Sequence, residues 1–258
     1  MRSPRFPTLF CLLVALGAAA VAHADAIGPL HCNDSAGAPR MKGKTVTVIG
    51  IVTGQFSTEK NTRLYLQDAT GGINVFGSPR NCAPIGDSLR VTGAVGSYNG
   101  LTEITGTDEH PLTIEVLDHT RPLPAPLELT PEWFNAAPDS NGCEPNESRL
   151  VEVHNLMVRT STGEIPAPGA VFVAGANYRL SHAAPDSATS FVTLRIEPAS
   201  SCESNGSLEN VAIPDGTVRA VGILSQFKGR SARSVGYQLL ARTRDDLTPE
   251  TGGAGGHN

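Results

Sequence analysis

The sequence predicts an all-β protein with two five-stranded barrels in tandem. Two observations support this prediction: a β-hairpin signal, and the recurrence of the same stretch later in the chain. In residues 86–106, Asn99-Gly100 separates two β-prone runs. Asn-Gly between apolar runs is a strong hairpin signal, because both residues tolerate positive φ. The stretch recurs at residues 213–229. The positions that match without a gap are Leu89 with Val218, Arg90 with Arg219, Gly93 with Gly222, Tyr98 with Phe227 and Gly100 with Gly229.

In the first copy, short apolar runs bounded by turn residues predict the strands in order. The predicted strands are residues 42–53, 64–68, 73–76 and the two arms of the hairpin, followed by 112–117. Alternation in the second and third strands assigns their faces. Leu64, Leu66, Ile73 and Val75 are expected in the core, and Tyr65, Gln67, Asn74 and Phe76 on the outside.

The second copy follows the same order after a proline-rich linker at residues 121–142. In the linker, Thr130 and Pro131 form a helix-start signature that predicts a short helix. Trp133, the single tryptophan of the chain, is expected to fill the gap between the barrels. The predicted strands of the second copy are residues 149–158, 172–180, 191–196, 218–227 and 237–241.

The amino terminus has the features of a secretory signal peptide. A basic start and a short apolar run end at Ala22-His23-Ala24, which predicts cleavage after Ala24 and a periplasmic or secreted mature protein without a membrane span. The predicted organisation is a signal peptide at residues 1–24, barrel 1 at 25–120, the linker at 121–142, barrel 2 at 143–248 and a flexible tail at 249–258.

Four cysteines remain in the mature chain, two in each copy. Cys32 and Cys143 precede the first strands, and Cys82 and Cys202 precede the fourth strands. An even number of cysteines in an exported chain indicates disulfides. Their placement in the repeat predicts one disulfide per barrel, Cys32–Cys82 and Cys143–Cys202. A metal site of four thiolates is disfavoured, because the sequence contains no C-x2-C pair.

Five strands with a break between the third and the fourth is the order of the OB-fold, a five-stranded Greek-key barrel. The sequence of the first copy resembles the OB-fold module of exported bacterial proteins, a module that often lies beside extracellular nuclease domains. The motifs are Tyr65-Leu66-Gln67-Asp68, Thr70-Gly71-Gly72-Ile73, Gly86-Asp87 and Val91-Thr92-Gly93. The second copy resembles the module more loosely. The resemblance implies nucleic-acid contact, or a positioning role beside a catalytic domain.

The outer face of barrel 1 is the first candidate binding surface. OB-folds usually bind ligands on strands two and three and the adjoining loops. Tyr65, Gln67, Asn74 and Phe76 combine two aromatic rings with two amides, a composition that stacks on bases and reads their edges. In the alternative interpretation, Tyr65 and Phe76 are a stabilising cross-strand pair or are covered by the other barrel.

A basic loop in barrel 2 is the second candidate. Lys228, Arg230 and Arg233 lie between its fourth and fifth strands, a loop that OB-folds use for ligands. The loop either contacts phosphate or is a solvated loop balanced by Asp245 and Asp246. The formal net charge of −5 weakens the first option, because nucleic-acid binders usually have a basic footprint.

The sequence favours a non-catalytic protein without cofactor or metal over an enzyme, since it has no nucleophile elbow, phosphate loop or zinc helix. Asp108, Glu109 and His110 are expected in a solvated loop. The leading prediction is single-stranded or irregular nucleic-acid binding through barrel 1, with nucleic acid or an exported nuclease as partner. The alternatives are an envelope protein or glycan-interaction module, and third a metal-dependent nuclease or its accessory. A basic stripe from Lys42 and Lys44 through Arg63 would favour nucleic acid.

Overall fold

The computed structural model describes residues 24–135, 141–183, 191–202, 207–228 and 236–250. Within these ranges the regular structure is almost entirely β, with single turns of 3-10 helix at Gly28–His31, Pro131–Asn135 and Arg244–Asp246. None of the described helices is long and apolar enough to span a membrane. The predicted signal peptide lies almost wholly outside the described residues.

Barrel 1 is a closed OB-fold barrel. Its strands are β1 (Thr45–Gln55), β2 (Thr62–Gln67), β3 (Gly72–Gly77), β4 (Ser88–Tyr98) and β5 (Leu101–Thr105). The pairing order is β1-β2-β3-β5-β4, and β4 pairs back onto β1. A further strand, β6 (Thr113–Asp118), pairs with the free part of β4. The predicted all-β OB-fold architecture is therefore confirmed.

Local sequence signals account for this barrel. Asn99 and Gly100 have φ values of 51° and 98° at the tip of the β4–β5 hairpin, as expected for a two-residue hairpin turn. The four side chains predicted to fill the core of the barrel are all buried in one apolar cluster: Leu64, Leu66, Ile73 and Val75. The face assignment of β2 and β3 from alternation is thus correct.

Barrel 2 repeats the same topology. Its sheet contains β7 (Leu127–Glu128), β8 (Leu150–Arg159), β9 (Asn177–Ser181), β10 (Val192–Arg195), β11 (Thr217–Gln226), β12 (Tyr237–Leu240) and β13 (Leu247–Pro249). The order β8-β9-β10-β12-β11 closes through pairing of β11 with β8, while β7 and β13 add to the edges. The equivalent residues Arg90 and Arg219 each form a cross-strand ion pair, with Glu115 and Glu152 respectively.

The end of barrel 2 differs from the prediction. The tail was expected from residue 249, but Pro249 belongs to β13, which pairs with β11. The Glu250 carboxylate accepts a hydrogen bond from the backbone N–H of Asn155 at 2.6 Å and pairs with His154 at 2.7 Å. These contacts extend the packed barrel to Glu250. Residues 251–258 of the predicted tail lie outside the described residues.

The linker contains the predicted short helix as a 3-10 turn, Pro131–Asn135. Trp133 does not fill the gap between the barrels. Its ring packs against the core of barrel 2 and lies 6.3 Å from the Tyr237 ring, centroid to centroid. The reason is that β7, just before this turn, already pairs with β8. Barrel 2 therefore begins at β7, inside the proline-rich segment that was predicted to be a linker.

The two barrels pack against each other through an apolar cluster of their own. From barrel 1 it contains Phe56, Tyr65 and Leu101, and from barrel 2 Leu150, Val221, Ile223 and Leu240. At Gly72 the backbones of the two barrels approach closely. A Cβ atom there would be 2.1 Å from the carbonyl oxygen of Ser148. A side chain at residue 72 would force the backbones apart.

Both disulfides join the two barrels. They are Cys32–Cys143 and Cys82–Cys202, so the predicted pairing of one disulfide per barrel is wrong. Each bond instead joins two cysteines that occupy equivalent positions in the repeat, Cys32 with Cys143 and Cys82 with Cys202. The backbone N–H of Lys228 likewise donates to the carbonyl of Asn99, its equivalent in the repeat, at 2.8 Å.

Contacts between equivalent positions are characteristic of an isologous interface, in which the same patch of two similar units meets itself. A sequence repeat identifies equivalent positions, but it carries no information on how two copies dock. For this reason the repeat shows which cysteines are equivalent, but the disulfide bonds predicted from it are wrong.

A buried polar network crosses the same interface. The His31 ring contacts the Glu147 carboxylate at 3.0 Å through Nδ1 and the Gly72 carbonyl through Nε2. The Glu144 carboxylate accepts hydrogen bonds from Asn33 and Tyr237, both at 2.6 Å. Sequence reasoning found no role for His31, because its partners are distant in the chain.

Candidate functional site

A cleft of about 560 Å³ lies between the two barrels. Barrel 1 contributes the ends of β2 to β5, and barrel 2 contributes the neighbouring ends of β9 to β12. The lining residues are Thr58, Arg63, Asn74, Phe76, Tyr98, Leu101 and Glu103 from barrel 1, and Asn177, Arg195, Glu197, Ser225, Gln226, Phe227 and Gln238 from barrel 2. The cleft is large enough for a small ligand or part of a polymer.

Three aromatic rings of the cleft remain accessible to solvent. Phe76 on β3 is 38% exposed, Tyr98 at the end of β4 is 62% exposed, and Phe227 just after β11 is 56% exposed. Tyr98 and Phe227 are equivalent in the repeat, and the Asn99–Lys228 hydrogen bond joins the residues that follow them. Exposed aromatic faces around one groove are suited to stacking on flat or ring-shaped ligands.

The charges of the cleft largely balance one another. Arg63 Nη1 lies 2.9 Å from Glu197 Oε2, and Arg195 Nε lies 3.5 Å from Glu197 Oε1. The two arginines therefore share one carboxylate, and the Arg63–Glu197 ion pair joins the two barrels. Burial raises the pKa of Glu103 to about 7, and the nearby charge of Arg63 opposes this rise. At neutral pH the carboxyl of Glu103 is thus partly protonated.

Three of the four candidates on barrel 1 are not exposed. Tyr65, Gln67 and Asn74 do point outward from the barrel, but all three are buried. The Tyr65 hydroxyl contacts Ser225 at 3.0 Å, and the Gln67 side chain accepts a hydrogen bond from the Leu150 backbone at 2.8 Å. Barrel 2 covers this face, so the expected solvent-exposed patch is wrong for these residues, and the alternative of cover by the other barrel is correct for Tyr65.

Phe76 and Asn74 still belong to the cleft. Asn74 is buried at the floor, where its Nδ2 donates to the Leu64 carbonyl at 3.2 Å. Phe76, two residues further along β3, lies nearer the rim. Both side chains point out of barrel 1, as alternation along the strand predicts. Docking of barrel 2 buries Asn74 and leaves Phe76 partly exposed.

Lys42, Lys44 and Arg63 do not form the basic stripe that would favour nucleic acid. Lys42 and Lys44 precede the start of β1, whereas Arg63 lies beside the opposite end of β1, next to the Leu64–Gln55 pair. An eleven-residue strand spans about 35 Å when extended. Lys228 borders the hairpin tip of barrel 1 and is partly buried. Arg230 and Arg233 lie outside the described residues.

Sequence reasoning missed Tyr98, Phe227, Glu103 and Arg195 as residues of one site. A signal for the first two was present, since Tyr98 and Phe227 match in the repeat and an aromatic ring recurs at the same hairpin position. Glu103 and Arg195 carried no such signal, because they meet only when the barrels dock.

The part of the chain that the structure describes contains no group of three or more histidine, cysteine, aspartate or glutamate side chains arranged to hold a metal ion. Asp108, Glu109 and His110 lie in an exposed loop between β5 and β6.

The chain is similar in sequence to an endonuclease and, more distantly, in structure to tRNA synthetases. The chain is 34% identical over 113 residues to endonuclease YhcR of Bacillus subtilis, a match that covers 42% of this chain and 9% of that protein. No family model matches the chain.

Among solved structures, asparaginyl-tRNA synthetase from Pyrococcus horikoshii is similar at 20% identity and a TM-score of 0.28, over 34% of this chain and 23% of the synthetase. An aspartyl-tRNA synthetase from Leishmania major is similar at 15% identity and a TM-score of 0.26, over 41% and 23%. The chain thus spans a small part of each protein that it resembles.

Proposed function

We propose that this protein is an exported, non-catalytic pair of OB-fold barrels that binds single-stranded nucleic acid in the cleft between them. The observation that carries the proposal is the set of three exposed rings, Phe76, Tyr98 and Phe227, around one cleft beside the docked face of barrel 1. Single-strand binders combine such stacking platforms with hydrogen-bonding groups. The amides of Asn177, Gln226 and Gln238 lie in the same cleft.

The sequence similarity to an endonuclease supports a nucleic-acid ligand. Because the match covers 9% of that protein, the similarity supports a shared module and not a shared catalytic activity. Two disulfides are typical of proteins in an oxidising environment, which supports export.

The charge balance of the cleft predicts how this binding depends on salt. Arg63 and Arg195 are already paired with Glu197, so few free cations are available to phosphates. Each phosphate neutralised on a single strand contributes a slope of about −0.7 to log K against log salt. We expect a shallow slope equivalent to about one or two phosphates, with stacking providing most of the affinity.

Fluorescence anisotropy with labelled DNA and RNA strands of about ten nucleotides tests the proposal, at low and high salt. Removal of one stacking ring costs about 1–3 kcal/mol. The variants Phe76→Ala, Tyr98→Ala and Phe227→Ala are each expected to weaken binding about fivefold or more. Ile165→Ala is the matched control, because Ile165 is exposed outside the cleft.

Three results would contradict the proposal, two of them its binding part and one its non-catalytic part. One is the absence of binding tighter than about 10⁻⁴ M, the weak limit of non-specific binding. The other is equal loss of binding in Ile165→Ala and the three cleft variants, since a stacking site would distinguish them. Cleavage of DNA or RNA by the purified protein with Mg²⁺ or Ca²⁺ would contradict the non-catalytic part.

A glycan is the second candidate ligand, and the carboxyl groups of the cleft favour it. Glu103 and Glu197 can accept hydrogen bonds from sugar hydroxyls, and aromatic rings also stack on sugars. OB-folds bind oligosaccharides as well as oligonucleotides. Binding of neutral oligosaccharides that is lost in Phe76→Ala, together with no binding of single strands, would favour this candidate.

A further inference from the structure

Glu103 is a half-buried carboxyl group on β5 that lines the cleft. It forms no hydrogen bond or ion pair within the described part of the chain, and the charge of Arg63 acts on it from a distance. Arg63 itself is paired with Glu197 across the cleft. Because partial burial of a carboxyl is costly, a ligand that brings hydrogen-bond donors into the cleft would offset this cost at Glu103.

The neighbour of Glu103 on the sheet also presents an acceptor. Asn74 on β3 lies directly opposite Glu103 on β5 in the parallel register. One of the two Nδ2 hydrogens of Asn74 is donated to the Leu64 carbonyl, and its Oδ1 is an acceptor. Acceptor positions therefore outnumber donors on these two adjacent side chains.

A stacked base would present its edge to these acceptors. Phe76 lies two residues from Asn74 on the same face of β3, and diagonal neighbours across adjacent strands lie about 7–8 Å apart. A base on the Phe76 ring is thus within reach of the Glu103 carboxyl. Guanine has two adjacent donors on its Watson–Crick edge, N1–H and the N2 amino group, whereas thymine and uracil have one N–H between two acceptors.

We propose that Glu103, with Asn74 beside it, makes the cleft selective for guanine over thymine or uracil in single strands. This inference rests on the proposed nucleic-acid function and specifies its ligand. The ionised carboxylate accepts both guanine donors, while thymine and uracil bring their carbonyl oxygens against the acceptors of the cleft.

The ionisation of Glu103 makes the selectivity dependent on pH. The charged groups that face Glu103 are Arg63 from β2, and Arg195 and Glu197 from barrel 2. With a pKa of about 7 in the free protein, Glu103 is a carboxylate above this pH and a neutral acid below it. Selectivity for guanine is therefore expected above pH 7 and is reduced as pH falls through this value.

The test compares oligothymidylate of about ten residues with the same strand carrying isolated guanines or inosines, by anisotropy at about pH 8 and about pH 5.5. A bidentate pair discriminates by about 5-fold to about 100-fold. We expect the guanine strand to bind more tightly by a factor in this range at pH 8. Inosine, which lacks the N2 amino group, is expected to lose most of the gain.

Glu103→Gln is expected to remove the guanine preference at pH 8 and to bind oligothymidylate at least as well as the wild type. Glu109→Gln is the matched control, because it removes one carboxylate from an exposed loop. The pH titration of the wild type needs no variant, so a folding defect in Glu103→Gln does not affect it.

The outcomes separate the two proposals. If no strand binds to the wild type, the nucleic-acid function itself is wrong. If strands bind but guanine and thymine bind equally, or if Glu103→Gln retains the preference, the function stands and the role of Glu103 is overturned. A guanine preference that persists unchanged at pH 5.5 also overturns it.

Discussion

The hydroxyl oxygen of Tyr65 on β2 lies 3.0 Å from the hydroxyl oxygen of Ser225 on β11, a hydrogen bond between the two barrels. Tyr65 is fully buried, and its ring packs edge-to-face on Phe56 at a centroid distance of 5.8 Å. The face of barrel 1 that OB-folds usually use for ligands is therefore used at this point for docking, and the cleft lies toward the ends of the strands.

Replacing Tyr65 is expected to destabilise the protein rather than remove a ligand contact. Tyr65→Phe should lower the free energy of unfolding by about 1 kcal/mol, because the Ser225 hydroxyl loses its buried partner. Tyr65→Ala should lower it by about 3–5 kcal/mol through the cavity it leaves. Urea unfolding measures both.

Tyr98→Ala is the matched control for this stability prediction. Tyr98 is 62% exposed, and substitution of an exposed residue usually changes stability by less than about 0.5 kcal/mol. A Tyr65→Ala variant as stable as the wild type would show that the interface cluster does not hold the barrels together.

The disulfides are expected to hold the two barrels in register. Cys82 and Cys202 are 120 residues apart in the chain. The variant Cys82→Ser with Cys202→Ser should lose about 2–4 kcal/mol of stability, because the unfolded chain gains entropy. It should also bind ligand more weakly, since the cleft needs both barrels in place. Peptide mapping without reduction should recover Cys32 joined to Cys143.

The matched control is mild reduction followed by reoxidation of the wild type, which should restore stability and binding together. Peptides that join Cys32 to Cys82 would contradict the inter-barrel arrangement. Unchanged binding in the double serine variant would show that the polar and apolar contacts alone hold the cleft.

His31 is expected to make the stability of the interface dependent on pH. Burial alone lowers the pKa of His31, but its hydrogen bond with Glu147 and the charge of that carboxylate outweigh this, so the pKa is raised above 6.5. Both ring nitrogens face acceptors, a carboxylate and a carbonyl, an arrangement that favours the protonated imidazolium.

A raised pKa in the folded state means that the folded protein binds the proton more tightly than the unfolded chain. The stabilisation is fully present below pH 6.5 and is lost as pH rises through the folded-state pKa. The free energy of unfolding should therefore fall as pH rises above 6.5 and through the raised folded-state pKa of His31. Glu144 adds a decline of the same sign, because burial and the charge of Glu147 raise its pKa.

His31→Gln isolates the contribution of His31. The variant should be less stable at low pH, because the buried Glu147 carboxyl loses the cation that faces it and keeps only the hydrogen bond from the Thr102 N–H. Its stability should also decline less with rising pH. His110→Gln, in an exposed loop, should retain the wild-type pH dependence. Parallel pH profiles for the wild type and His31→Gln would refute the buried imidazolium.

The sequence alone determined the strands, their faces and the repeat. Alternation is a local property, because side chains of an extended strand point to opposite sides whatever lies beyond them. It placed Leu64 in the core and Tyr65 outside the barrel, and the Asn99-Gly100 turn set the hairpin register. The equivalence of Cys32 with Cys143 was likewise readable from the repeat.

Only the tertiary structure decided what each outward face meets. Docking of barrel 2 buried Tyr65, joined Cys32 to Cys143, brought His31 to Glu147 and placed Glu103 in the same cleft as Arg195. These contacts join residues far apart in the chain, and they depend on the complementarity of two surfaces, which one-dimensional periodicity does not encode. The OB-fold follows from local chemistry, and the cleft between the barrels follows from how they pack.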